Sequence, residues 1–189
     1  MAITAFGGAS VRSHPPAKGS ALRYFLDTEF NGFGGALISL ALVRADGSSL
    51  YLVYDAPEQP EAFVRDHVQP NLERVPESVA IRRVKQSQGA YALEAFLQDD
   101  ADVEIIADWP DDVRLCCQAL MIEPDLTANI GRLRFEIHRV DPYPTDLVGA
   151  VRHNAWWDAM ALRQKLATTA LAPWRHDVTG SAHTLASAL

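Results

Sequence analysis

Two carboxylates one residue apart, Asp27 and Glu29, lie inside an apolar segment that runs from Tyr24 to Phe30. The segment predicts a β-strand, and because side chains alternate across a strand, both carboxylates point to the same face, roughly 7 Å apart. Two desolvated acids repel each other, and a divalent cation that takes hard oxygen ligands, Mg²⁺ or Mn²⁺, compensates best. The alternative is a pair of solvated acids on an edge strand, which the flanking apolar residues disfavour.

A second pair of chemically competent side chains, His153 and Asp158, lies near the end of the sequence. Asn154 is a candidate N-cap for a helix that runs to about Leu166. With that cap, Asp158 follows the first helical turn and His153 precedes the helix, so the imidazole can swing over a site that the carboxylate ligates. Ala155 leaves room for the helix to approach the sheet. The alternative is a surface histidine and a surface aspartate on an amphipathic helix.

Three further aspartates, Asp108, Asp111 and Asp112, cluster where a strand is followed by a helix. Acids at a helix N-terminus also stabilise the helix dipole, and at least one of the three is expected to do only that. Asp112 lies four residues before Cys116, one turn below the predicted buried stripe, so it can face the sheet. Asp111 lies about 100° around the helix from it. We rank Asp112 first, Asp111 second, and Asp108 third as a cap or outer residue.

The hydrophobic pattern predicts the elements that must position these residues. Three antiparallel strands come first, followed by helices, a strand, a helix, a fifth strand and the last helix. The strands are expected at Tyr24 to Phe30, Ala36 to Val43, Leu50 to Tyr54, Val103 to Ala107 and around Phe135 and Ile137. The early helical faces are Phe63, Val64, His67 and Val68, and then Leu93, Phe96 and Leu97; Val113, Cys116, Cys117 and Leu120 form the later stripe. The predicted fold is α/β, a mixed five-stranded sheet flanked by helices.

The 189 residues suit one domain, and their 48% apolar and 22% charged content is ordinary for a globular protein. We predict a flexible N-terminal extension over 1–20, a single domain over 21–172 and a C-terminal tail over 173–189. No apolar run approaches the roughly 20 residues of a membrane span, and a cytoplasmic location is expected. The net charge of −7 disfavours a large DNA-coating surface and leaves a small end-processing site open.

The order of these motifs resembles one known superfamily. A strand with Asp-x-Glu, a later strand-to-helix Asp and a last helix with His-x-Ala-x-x-Asp is the pattern of the DEDDh (DnaQ-like) 3′–5′ exonucleases. The resemblance covers about Arg23 to Leu166, and the first motif followed by the apolar run 37–43 is most similar to the small bacterial exoribonuclease branch that includes RNase AS. The middle motif departs from the pattern, because Asp111 stands where the family usually has an aromatic or apolar residue.

This resemblance implies an RNase H-like fold and a set of roles. Asp27, Glu29, Asp112 and Asp158 would hold two divalent cations, Mg²⁺ or Mn²⁺. His153 would be the general base on the attacking water, and nucleoside 5′-monophosphates would be the products. Phe30, which follows the first motif, could stack on the terminal base, with ordinary strand packing as the alternative.

The resemblance also implies partners, and it leaves other functions open. The expected substrates are the 3′ ends of single-stranded RNA, or of DNA, and relatives are often homodimers. A DNA exonuclease of the proofreading type is the enzymatic alternative, because the catalytic residues do not read the sugar. A catalytically silent nucleic-acid-binding or protein-binding module on the same fold is the alternative from another class. An intact set of Asp27, Glu29, His153 and Asp158 counts against it.

Overall fold

The computed structural model describes residues 22–140 and 146–169. The predicted extension over 1–20 and the predicted tail over 173–189 lie outside the described residues. The strands are β1 Leu22–Phe30, β2 Leu37–Arg44, β3 Ser49–Tyr54, β4 Ile81–Val84, β5 Asp102–Ala107, β6 Met121–Glu123, β7 Leu126–Thr127 and β8 Arg132–Ile137. The helices are α1 Gln86–Leu97, α2 Pro110–Ala119 and α3 Ala155–Thr169, with a π-helical turn at Val64–Val68 and a 3-10 turn at Gln69–Asn71.

The predicted α/β class is confirmed, with one correction to the sheet. Six strands pair in the order β4-β3-β2-β1-β5-β8. β1, β2 and β3 are antiparallel neighbours, whereas β4, β5 and β8 each pair in parallel. The strand missing from the five-stranded prediction is β4. Its two central residues, Arg82 and Arg83, break the apolar alternation on which strand prediction depends, and pairing with β3 makes this segment a strand.

The sheet divides the molecule into layers, and β1 contributes to both faces. Tyr24 and Leu26 belong to the large core that includes residues of α1 and α2. Phe25 points the other way and packs with Ile106 of β5 and Leu162 of α3. Because Asp27 and Glu29 share the alternation of Phe25, they lie on the face that α3 covers.

The segment before β4 differs from the predicted helical face. Val64 and Val68 are buried, but Phe63 and His67 are exposed. In the π-helical turn the two valines pack on Ile38 of β2. The sequence pattern predicts all four residues on one apolar face, whereas in the structure Phe63 and His67 form a separate aromatic pair, with ring centroids 4.9 Å apart.

Helix α2 also buries a different stripe from the predicted one. Its buried residues are Asp112, Leu115, Cys116 and Ala119. Cys116 is buried as predicted, whereas Cys117 is exposed, because successive residues on a helix are about 100° apart and do not share the centre of a stripe. The buried position of Asp112 in this stripe aims its carboxylate at the sheet.

The longest described helix is α3, with 15 residues. At 1.5 Å per residue it is about 22 Å long, short of the roughly 30 Å apolar thickness of a bilayer. Within 22–140 and 146–169, no helix has both the length and the apolar character needed to cross a membrane.

Candidate metal centre

The end of β1 supplies the first two carboxylates of the site. Asp27 and Glu29 are half-buried on the face that α3 covers. The parallel pairing of β1 with β5 aligns Phe25 with Ile106. Two residues further along the same register, Asp27 meets Asp108, which directly follows β5. Strand pairing therefore brings together two acids that are far apart in the sequence.

Five carboxylates form two triads that share Asp27. The first triad is Asp27, Asp108 and Asp112, and the second is Asp27, Glu29 and Asp158. In each triad, one oxygen per residue lies within 4.8 Å of the other two. Asp27 therefore lies between two groups of oxygen ligands contributed by β1, the β5–α2 junction and α3. We name these five residues the carboxylate cluster.

Asp112 is held by the backbone and side chain of a single threonine. The Thr28 hydroxyl donates to Asp112 Oδ1 at 2.6 Å, and the Thr28 backbone N–H donates to the same oxygen at 3.2 Å. Thr28 lies between Asp27 and Glu29, and its side chain points to the opposite face of β1. Asp112 Oδ2 is buried and has no hydrogen-bond partner among the described residues. One oxygen is therefore fixed, and the other remains available to a ligand.

The N-terminus of α3 positions Asp158. Asn154 is buried, and its Oδ1 accepts the backbone N–H groups of Trp156 at 3.1 Å and Trp157 at 3.3 Å, which confirms the predicted N-cap. The Asp158 carboxylate in turn accepts backbone N–H groups from Asn154 and His153. Ala155 is fully buried, so the start of the helix lies close against the sheet.

Burial and mutual repulsion make it unfavourable for all the carboxyl groups of the cluster to be ionised together. Burial, followed by repulsion from Asp112, Asp158, Glu29 and Asp108, raises the pKa of Asp27 well above its usual value of 3.8. Burial, and then repulsion from Asp158 and Asp112, likewise raises the pKa of Glu29. Burial raises the pKa of Asp112 and of Asp158 to about 7 each, although hydrogen bonds to both carboxylates oppose the rise. The cluster favours positive charge at its centre.

These residues fit divalent cations of the magnesium type. Both triads offer only carboxylate oxygens, the hard ligands that Mg²⁺ and Mn²⁺ take, and neither contains the thiolate or imidazole ligands typical of zinc. The buried Asp112 Oδ2 lacks a described partner, and such an atom is costly unless a ligand or ion satisfies it.

His153 adopts a left-handed backbone conformation, with φ at +56°, which is unique among the non-glycine residues of 22–140 and 146–169. Its imidazole packs edge-to-face on Phe63, with ring centroids 4.8 Å apart, and lies 6.5 Å from the ring of His67. Burial, and then the nearby charges of Arg152 and His67, lower the pKa of His153 below 6.5. The ring is therefore neutral at pH 7 and able to accept a proton.

Asn71 ties together the two segments that carry the histidines. Its Nδ2 donates to the carbonyl of His67 at 2.8 Å and to the carbonyl of Arg152 at 2.9 Å. The backbone carbonyl of Asn71 accepts a hydrogen bond from Asn154 Nδ2 at 2.7 Å. The left-handed residue His153 is thus flanked by two residues bonded to the same asparagine, which fixes the turn before α3.

The structure brings most of the predicted site residues together, but not all in the predicted way. Asp108, ranked third from sequence, lies in the carboxylate cluster. Asp111 lies outside it and pairs with Arg114 at 2.8 Å. Phe30 is half-buried against the large core, as in the packing alternative, and its stacking role stays a prediction. His153 touches the cluster through its backbone N–H, while its ring packs on Phe63.

Sequence reasoning missed Thr28, His67 and Asn71. Thr28 carried a usable signal, because a small hydroxyl residue between two predicted ligands can bond a third. His67 and Asn71 carried none, since their positions depend on contacts with residues more than 80 positions away.

Comparisons with known proteins do not identify this chain. No protein-family model matches it, and no curated protein matches it either. The resemblance to the DEDDh exonucleases therefore rests on the sequence motifs alone.

Proposed function

We propose that this protein is a metal-dependent 3′–5′ exonuclease of the DEDDh type on an RNase H-like domain. Its substrates are the 3′ ends of single-stranded RNA, and its products are nucleoside 5′-monophosphates. The observation that carries the proposal is the pair of carboxylate triads joined at Asp27. A mixed sheet flanked by helices supports the fold assignment.

Asp27, Glu29, Asp112 and Asp158 would hold two divalent cations, with Asp108 close enough to contribute. When bound, the cations supply acidity to the attacking water and neutralise charge on the departing 3′ oxygen. The chain itself preorganises the ligands. Thr28 fixes one oxygen of Asp112, and two backbone N–H groups orient Asp158.

His153 takes the proton of the attacking water in this proposal. Its lowered pKa keeps the imidazole neutral at pH 7, as a general base requires. Its backbone already contacts the Asp158 carboxylate, and in this proposal the side chain rotates off Phe63 to bring the ring to the cluster. Rotamer changes of this kind are fast compared with turnover.

The test uses oligomers of matched sequence in RNA and DNA, labelled at the 5′ end or the 3′ end, with Mg²⁺ or Mn²⁺. We expect stepwise shortening from the 3′ end, release of mononucleotides, and loss of activity in excess chelator. RNA cleaved faster than DNA supports the exoribonuclease assignment. The reverse preference supports the DNA exonuclease alternative. Cleavage of circular single strands would contradict an end-processing site.

Variants distinguish cleavage by this protein from cleavage by a contaminating nuclease, and an enzyme from a silent binding module. Asp27→Asn should abolish cleavage, because Asp27 belongs to both triads. Asp125→Asn is the matched control, since Asp125 is an exposed acid between β6 and β7. An active Asp27→Asn variant would overturn the proposal. A parent protein that binds RNA and never cleaves it would favour the silent module.

A further inference from the structure

Trp109 is an exposed aromatic residue at the edge of the carboxylate cluster. It lies between Asp108 and α2, and 47% of its surface is accessible. Its indole Nε1 donates to Asp111 Oδ2 at 3.3 Å, and Asp111 Oδ1 accepts from Arg114 at 2.8 Å. The ring is therefore held in one orientation while a large part of it faces solvent.

A cation lies directly over this ring. The guanidinium carbon of Arg139 is 4.5 Å from the centroid of the Trp109 ring, within cation–π range. Arg139 itself is exposed. The preceding residue, His138, donates its backbone N–H to Ala107 at 2.8 Å, which fixes this segment beside the end of β5. We name Trp109 and Arg139 together the tryptophan platform.

The platform directly adjoins the proposed metal ligands. Asp108 precedes Trp109 in the chain, and the Trp109 backbone N–H lies close enough to the Asp112 carboxylate to lower its pKa. Metal ions in the cluster would attract the scissile phosphate, but the next phosphate of the strand lies outside the cluster and meets a chain of net charge −7 unless a local cation attracts it. Arg139 supplies such a cation beside an aromatic surface.

We propose that the tryptophan platform binds the nucleotide on the 5′ side of the scissile phosphodiester, with the base on the indole and a backbone phosphate on the guanidinium. Aromatic stacking and arginine contacts are the usual means of holding single strands without sequence preference. This inference rests on the proposed exonuclease function. It adds a binding site that the motif residues do not include.

The test compares two substrates that differ only in whether they occupy the platform. The first is a decaribonucleotide. The second is the p-nitrophenyl ester of a nucleoside 5′-monophosphate, in which a phenol replaces the upstream nucleotide. Trp109→Ala and Arg139→Gln should raise KM for the decamer roughly 10-fold, within the range that loss of one stacked base produces, with little change in kcat. Both variants should leave the kinetics on the small ester unchanged.

Controls distinguish binding from a structural role. Trp109→Phe should recover most of the decamer affinity, because a phenyl ring also stacks. Arg139→Gln should reduce the salt dependence of KM by about one phosphate contact. Tyr91→Ala and Arg132→Gln remove an exposed aromatic and an exposed cation outside the platform, and should change neither substrate's kinetics.

Two results would overturn the platform while leaving the exonuclease proposal intact. One is an unchanged KM for the decamer in both platform variants. The other is equal impairment on both substrates, which indicates a structural role. If the parent cleaves neither substrate, the exonuclease proposal fails. Binding of the labelled decamer, measured by fluorescence anisotropy with Mg²⁺, then tests the platform by itself. Weaker binding by Trp109→Ala then supports it, and unchanged or absent binding overturns it.

Discussion

Replacing Asp112 with asparagine should stabilise the metal-free protein at high pH and not at low pH. Burial raises the pKa of this carboxyl from 3.8 to about 7 in the folded protein. The folded state therefore binds the proton more tightly than the unfolded state does. The stabilising effect of that proton is fully present below about pH 4 and is lost as the pH rises to about 7.

The size of the effect follows from the displacement of the pKa. Each pH unit corresponds to about 1.4 kcal/mol, so a rise from 3.8 to about 7 amounts to about 4 kcal/mol of lost stability at pH 8. In a domain of this size, 1 kcal/mol moves Tm by about 2–4 °C, so the change is on the order of 10 °C. Asparagine removes the charge and keeps an oxygen that can accept from Thr28.

The assay is thermal melting in excess chelator between pH 5 and 8.5. The parent should melt at progressively lower temperature as the pH rises, and saturating Mg²⁺ should reverse the loss. Asp112→Asn should melt above the parent at pH 8. At pH 5 the difference should be less than half that at pH 8, because most of the stability is lost between pH 5 and pH 7. Asp125→Asn should follow the parent. Parallel curves for the parent and Asp112→Asn would refute the reasoning.

Two further substitutions test the turn before α3. His153→Ala should lower turnover by roughly 10²–10⁴-fold in kinetic assays. Its Mn²⁺ affinity, measured by calorimetry, should be nearly unchanged. Wild-type turnover of this variant at neutral pH would exclude the general-base role. Asn71→Ala removes two hydrogen bonds to backbone carbonyls and should lower stability by about 1–3 kcal/mol, with faster amide exchange over 62–71 and 151–154. Asn129→Ala, which changes an exposed asparagine, is the control. If amide exchange in the Asn71→Ala variant is no faster than in the parent, Asn71 does not hold the two segments together.

Local signals made the first and last parts of the candidate site predictable. Alternation along β1 depends only on neighbouring residues, so the shared face of Asp27 and Glu29 could be derived from the sequence. The cap at Asn154 is also local, because its side chain bonds residues two and three positions later. The ranking of Asp112 above Asp111 also used a local property, the helical period of α2.

The unpredicted features depend on contacts between distant segments. Asp108 joins the carboxylate cluster because β5 pairs with β1 in one register, and a sequence does not state that register. Strand β4 exists because β3 offers it an edge, not because Arg82 and Arg83 favour extended backbone. His67 meets His153 only after the sheet and α3 are assembled.

The left-handed backbone at position 153 bears on how this chain can diverge. A non-glycine residue in that conformation costs about 1–2 kcal/mol, which glycine would relieve. Glycine would also give the unfolded chain more freedom, at a loss of about 0.4–1 kcal/mol. These two backbone effects nearly cancel or favour glycine, so the backbone at position 153 gives no reason to prefer histidine. A descendant that keeps histidine here therefore does so for its imidazole, either for the packing on Phe63 or for the proposed general-base role.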